Sequence, residues 1–378
     1  MSDSKCFSQE DICAYYGEDY TQHFGAMSPP IYQTSLFLNG NPYTYSRVSN
    51  PTLEVFEKKV AALEHADLAL VYSSGLAAIT SAIISNVKAG EHIICVHSVY
   101  GPARGFIRWL ERFGISCTFI NGEKLSDFKE ALTPQTRLIY LESPSSGIFA
   151  LQDLPAVADF AHAHQCITII DNTYSTPIFQ QPLDFGIDLV VHSASKYFGG
   201  HSDAIAGIIA GRGDMMSRIS GERCMLGNAA PPILAWLLQR GIRTLPIRMK
   251  EAFQRALTVA KYLEVHPMVE KVYYPALESH PQHELYLKQM TGCGGLMSFK
   301  PRGSFTSRAE MVKNLKIFKQ APSWGGYDSL VYPFGALSKP DDECKAAYDG
   351  GVIRLYVGLE DINTLIKDLE QALSVLQD

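Results

Sequence analysis

Short apolar runs separated by longer amphipathic stretches set the rhythm of the chain from about residue 50 to about residue 245. The runs are LALVY (68–72), HIICVH (92–97), RLIYLES (137–143), CITIID (166–171) and DLVVHS (188–193). Each is continuously apolar rather than alternating, the pattern of strands covered on both faces, and the helical stretches between them predict βα units around a mostly parallel sheet. Before this block, residues 1–50 are rich in turn formers, as in MSPPIYQTS and LNGNPYTYSRVSNPT, and read as an irregular arm. After RGIRTLPIRM comes a long helical pattern, EAFQRALTVAKYLEVHP, taken as the start of a smaller C-terminal α/β unit over 246–378 with strands near LMSFK (296–300) and VIRLYVGL (352–359). The expected domains are therefore an arm (1–50), a large domain (51–245) and a C-terminal domain.

Length supports more than one unit, since 378 residues exceed what one core usually organises. Acidic and basic residues are interspersed and the net charge is −6, so no basic block exists for nucleic acid. The opening MSDSKCFSQEDICAYYG lacks an apolar h-region, and no run reaches the roughly 18 apolar residues of a membrane span. The expectation is a soluble cytoplasmic protein with neither nucleic acid nor membrane as partner. Eight scattered cysteines, without a CxxC pair, fit a reducing compartment; Cys293 in TGCGG stays unassigned. No period of about 20 to 50 residues recurs, which excludes a solenoid.

In open α/β sheets ligands collect beyond the carboxyl ends of strands. Four such ends carry candidate chemistry. In LALVYSSGLAAITSAII, Ser73, Ser74 and Gly75 precede a helix beginning near Leu76, whose free N–H groups and dipole would bind an anion; glycine turns also open many ordinary helices. CITIIDNTYSTP delivers Asp171 to a buried strand end, either to meet a cationic group or to cap the next turn. DLVVHSASKYFGG places Lys196 between a strand and a glycine-rich loop, flanked by Ser193 and Ser195. RLIYLESPSSG ends in Glu142. A lysine taken at random is a snorkelling surface residue. Lys196, however, lies 25 residues after Asp171 and between hydroxyls suited to phosphate. Together these ends suit a ligand with a phosphate, a cationic ring nitrogen and an aldehyde, namely pyridoxal 5'-phosphate. Asp171 would keep the ring nitrogen protonated, Lys196 would attack the aldehyde, and the SSG turn with the serines would grip the phosphate.

The chain also resembles, over essentially its whole length, the pyridoxal-phosphate enzymes of cysteine and methionine metabolism. The segments that carry the likeness are PPIYQTS (29–35), YSRVSNPT (45–52), YSSGLAA (72–78), VYGPAR (99–104), ESP (142–144), DNTYSTP (171–177), HSASKYFGGHSDAIAG (192–207) and IRLYVGLED (353–361). The resemblance implies a fold-type-I enzyme, a homotetramer of two active-site dimers, acting on a sulfur amino acid. It implies that Tyr45 and Arg47 reach the cofactor phosphate of the neighbouring subunit, that Tyr100 stacks over the ring and serves as a base if its pKa is lowered beside a cation, and that Gly75 and Leu76 supply phosphate-binding amides. It assigns Arg354 to the substrate α-carboxylate; read alone, that residue would be an edge-strand arginine in a salt bridge. Glu142, Ser323 and Trp324 complete the expected substrate contacts.

Within the family, APSWGGYDSL (321–330) is similar to a segment of cystathionine β-lyases, with Pro322 and Trp324 where γ-specific members tend to carry glutamate and leucine. ESPSSG lacks the pattern common in γ enzymes, and Pro102 after VYG resembles the β-lyases. YSRVSNPT, by contrast, is the form common among γ enzymes. The expected activity is cystathionine β-lyase, a carbon–sulfur lyase of trans-sulfuration that feeds methionine biosynthesis by releasing homocysteine, pyruvate and ammonia. The alternatives are a γ-lyase or γ-synthase and, from another class, a catalytically quiet cofactor-binding protein.

Overall fold

The computed structural model describes residues 7–339 and 348–376; Cys6, Cys344 and the first six residues of the opening segment lie outside the described residues. Seven strands build the larger sheet: β1 (Leu68–Tyr72), β2 (His92–Val96), β3 (Ser116–Ile120), β4 (Thr136–Glu142), β5 (Ile167–Asp171), β6 (Leu189–Ser193) and β7 (Gly207–Gly211). Their order is β1-β7-β6-β5-β4-β2-β3. All neighbours are parallel except β7, which runs antiparallel to both β1 and β6. The second sheet comprises β8 (Val269–Tyr273), β9 (Leu296–Pro301), β10 (Lys319–Gln320), β11 (Leu330–Phe334) and β12 (Val352–Tyr356), ordered β10-β11-β12-β9-β8 and mainly antiparallel.

The apolar runs become the buried strands: every residue of β2 and β7 is buried. β3 and β7 escaped the sequence pattern for opposite reasons. SCTFI is half polar on an edge, and GIIAG is short and framed by glycine, which weakens a strand signal. Gly207 is required in β7, because a Cβ there would lie 2.1 Å from the Ser74 carbonyl oxygen.

The arm is not wholly irregular. Ser8 and Asp11 form a capping box on the helix Gln9–Tyr15, which packs on the helix Pro51–Leu63. The latter starts with Pro51 at its first position and Asn50 accepting from the Thr52 N–H. The long C-terminal pattern is the helix Leu245–Glu264. The two faces of β1 and β7 enter different cores: Leu70 and Ile209 pack on one, together with both faces of β2, β4, β5 and β6, while Val71 and Ile208 join Phe198, Phe299 and Leu355 in the other, which connects the two sheets. Cys293, unassigned from sequence, is a fully buried member of that second core, and burial pushes its thiol above the ordinary range. Among the described residues no helix is long and apolar enough to cross a membrane.

Candidate active site

The parallel register places Glu142 directly beside Asp171, and Asp171 beside Val191, at the carboxyl ends of β4, β5 and β6. The next turns then bring Ser193, Ser195 and Lys196 to the same rim. Asp171 is fixed by Thr173, whose N–H donates to Oδ1 at 2.9 Å and whose hydroxyl donates to the same oxygen. The Thr173 oxygen in turn accepts from the Ser193 N–H at 2.8 Å, tying β5 to β6. Sequence reading missed Thr173, although the Asp-Asn-Thr run is an Asx-turn signal. Burial raises the Asp171 pKa, opposed by the Thr173 hydrogen bonds and by nearby His192 and Lys196.

Glu142 is buried, and its oxygens accept the Tyr100 N–H at 2.6 Å and the Ser146 N–H at 2.8 Å. Desolvation and then the Asp171 charge push its carboxyl above the usual range. Tyr100 ends β2's loop at the start of the helix Gly101–Trp109 and leaves about half its surface open (48 %). Burial, Asp171 and Glu142 hold its phenol above the ordinary value. The expected lowering of that pKa therefore depends on a cation that these protein groups do not supply.

Lys196 reaches across to the second sheet's loop, where its Nζ donates to Ser323 Oγ at 2.8 Å and lies 5.6 Å from the centre of the Trp324 ring. Desolvation, then the Arg354 charge, lowers its pKa to about 8, with Asp171 acting in the opposite sense. The amine is thus far more often uncharged near neutrality than a surface lysine. Gly325, also missed from sequence, makes this approach possible: it has φ +88°, and a Cβ there would sit 2.9 Å from the Lys196 backbone.

Arg354 stands on β12, between β11 and β9, opposite Tyr332 and Ser298. It is therefore on a central strand, not an edge. Its guanidinium donates to the carbonyls of Pro322 at 2.8 Å and Ser146 at 3.4 Å, with the Phe334 ring 4.7 Å away. Phe334 and Tyr332 went unmentioned in the sequence reading because nothing local pairs β11 with β12.

At the anion end, Ser74 caps the helix Gly75–Ile84 by accepting from the Ala77 N–H at 3.0 Å. Gly75 lies against Ser193 so closely that a Cβ would come 2.8 Å from the serine Cβ. Ser195 accepts the Ala206 N–H at 3.0 Å, so its hydroxyl already braces the loop. Tyr45 and Arg47 lie on the arm; Arg47 donates to the Cys224 carbonyl at 2.7 Å and covers the Tyr45 ring.

These residues fit pyridoxal 5'-phosphate. A cradle at a helix start that admits no side chain at Gly75, with Ser193 opposite, suits a phosphate. A buried carboxylate suits a ring nitrogen, a half-buried amine of lowered pKa suits an aldehyde, and an open tyrosine face suits the ring.

Comparisons with known proteins agree with this chemistry. The family model described as "Cys/Met metabolism PLP-dependent enzyme" matches residues 11–374. The chain is 40% identical over 375 residues to an L-methionine gamma-lyase of Treponema denticola, covering 93% of this chain and 94% of that protein. It is 38% identical over 369 residues to a cystathionine gamma-lyase of Dictyostelium discoideum, covering 94% and 95%. The crystal structure of metB from Corynebacterium glutamicum superposes with a TM-score of 0.93 at 30% identity, covering 98% of this chain and 99% of that one.

Proposed function

The chain belongs to the Cys/Met metabolism PLP-dependent enzymes, and from that premise we propose that it is a carbon–sulfur lyase of an L-sulfur amino acid that cleaves at Cγ. The observation that carries the lyase reading is the Lys196 amine, hydrogen-bonded to Ser323 at the strand-end rim beside Asp171 and lowered to about 8 by desolvation and the Arg354 charge. When bound, the cofactor supplies an electrophilic aldehyde and an electron-withdrawing ring.

The chain's own residues divide the remaining work. Asp171 keeps a proton on the ring nitrogen. Ser74, Gly75, Leu76, Ser193 and Ser195 line the phosphate end, and Tyr45 and Arg47 complete it from a second copy in a cytoplasmic homotetramer of active-site dimers. Arg354 holds the substrate α-carboxylate with its planar fork, and the Ser323–Trp324 segment closes over the same end. Glu142 orients Tyr100 and Ser146 around that substrate by accepting their N–H groups. Tyr100, once the bound cofactor brings a cation that lowers its phenol, would accept the proton of the substrate ammonium. Lys196 Nζ would then take the α-proton and next a β-proton, and with Tyr100 would return a proton to the sulfur as the Cγ–S bond breaks.

Elimination at Cγ is favoured by relatives named as γ-lyases over almost the full chain. The reading as a cystathionine β-lyase keeps one specific support, Trp324 beside Lys196 behind Pro322. Identifying the products from L-cystathionine and L-methionine separates them. 2-Oxobutyrate with cysteine, and with methanethiol from methionine, supports cleavage at Cγ. Pyruvate with homocysteine, and no product from methionine, moves the reading to β-elimination. Absence of any keto acid from a cofactor-loaded protein would reject both in favour of a quiet cofactor-binding role.

A further inference from the structure

Beneath the rim that carries Asp171 and Lys196 lies a second polar cluster, on the opposite face of β5 and β6. His192 alternates with Val191 and Ser193 on β6, so its side chain leaves the sheet on the side away from Ser193. There its Nε2 meets Glu64 Oε1 at 2.6 Å, with both side chains fully buried. Glu64 ends the helix Pro51–Leu63. The same Glu64 oxygen accepts from Asn172 Nδ2 at 3.4 Å, and Asn172 follows Asp171 directly. Asn172 and Gln180 exchange hydrogen bonds at 2.9 and 3.0 Å, and Gln180 Nε2 also donates to the Ser143 carbonyl at 2.7 Å. One network therefore grips the residues that follow Glu142, Asp171 and Val191 at the ends of β4, β5 and β6.

An acidic side chain is rarely fully buried without a charged partner, and a buried pair of this kind is retained for arrangement more readily than for stability. We propose that Glu64 and His192 are positioning residues, a buried hydrogen-bonded pair that fixes the strand ends under Asp171 and Lys196. The inference rests on the roles given above to Asp171 and Lys196. The groups around Asp171 are Glu142 and Tyr140 on β4, Tyr100 at its helix start, His192 on β6 and Lys196 in the following turn. Of these only His192 and Lys196 favour the charged carboxylate. Around the pair itself stand Asn172, Gln180 and the edge of the Phe198 ring, 5.1 Å from His192. His192→Gln removes the imidazole that meets Glu64, and Glu64→Gln replaces the shared carboxylate acceptor with a neutral amide, so each weakens the tie between the helix end and the strand ends.

The test is the pH dependence of the visible cofactor band in the loaded protein. Both variants are expected to shift its midpoint in one direction by about half a pH unit or more, with kcat lowered about tenfold and KM little changed. A merely structural pair would lower melting temperature without moving the midpoint, and a smaller shift overturns the proposal. Glu64→Gln keeps the shape and the hydrogen bond, so it carries the test if His192→Gln does not fold. Borohydride reduction of the parent followed by peptide mapping locates the covalent site. Cofactor fixed at a residue other than Lys196 refutes the reading of the site, whereas fixation at Lys196 with an unmoved midpoint refutes the role of the pair alone.

Discussion

Lys196 and Ser323 meet across the gap between the two sheets, Nζ to Oγ at 2.8 Å, although 127 residues separate them in sequence. The contact couples the proposed reactive amine to the loop that carries the carbonyl partner of Arg354, since Pro322 precedes Ser323 and accepts from that guanidinium.

The lowered pKa of Lys196 has a direct consequence for reactivity. Labelling of the cofactor-free protein with a small aldehyde and borohydride should rise at Lys196 through pH about 8, whereas exposed lysines follow their ordinary 10.5. Peptide mass spectrometry across pH 6–11 reads this, and a midpoint at the ordinary lysine value would refute it. The same shift sets a stability trend. The folded pKa lies below the unfolded one, so charging Lys196 costs the fold, and stability from this site increases as pH rises from about 8 to 10.5. Lys196→Met should therefore raise the melting temperature by roughly 2 °C or more below pH 8, with the gain vanishing near pH 10, while abolishing turnover.

Gly325→Ala should damage the site more than the fold. The left-handed backbone costs about 1 kcal/mol for any side chain, and the new Cβ would press on the Lys196 backbone. Gly90→Ala is the control, with φ +86° and open space around its Cβ. Similar melting losses with a tenfold or greater drop in keto acid production for Gly325→Ala alone, about the cost of a misplaced catalytic group, would be the signature. Equal activity in the two variants would deny that Gly325 positions Lys196.

Arg354→Lys should raise KM for the amino acid substrate about 100-fold, because one ammonium cannot keep the Pro322 and Ser146 carbonyls and also offer a fork to a carboxylate. Steady-state keto acid release measures it. A KM within threefold of the parent would remove Arg354 from substrate binding.

Glu142 supplies a trend of opposite sign. Its carboxyl is raised by burial and by Asp171, so its contribution is fully present below the ordinary 4.5 and is lost as pH rises through the raised value. Melting curves of the cofactor-free protein should weaken with pH above 4.5 through this group, and Glu142→Gln should flatten that slope. An unchanged slope would show that the Glu142 carboxyl titrates like an exposed one.

What the sequence determined by itself is local and chemical. Continuous apolar runs specify β1, β2, β4, β5 and β6, because a strand buried on both faces must be apolar throughout. The residues at their carboxyl ends, Ser74, Glu142, Asp171, Ser193 and Lys196, follow once those ends are placed. The tertiary structure decided what depends on distant pairing. Only register sets Glu142 beside Asp171, whose charge joins burial in raising the Glu142 carboxyl; only the meeting of the sheets brings Ser323, Trp324 and Gly325 onto Lys196; only the placement of β12 between β11 and β9 puts Arg354 among aromatic rings. The Glu64–His192 contact beneath the rim belongs to the same class. Pattern reports which face a residue shows, whereas charge, desolvation and hydrogen bonding act through space between segments that the chain order keeps apart.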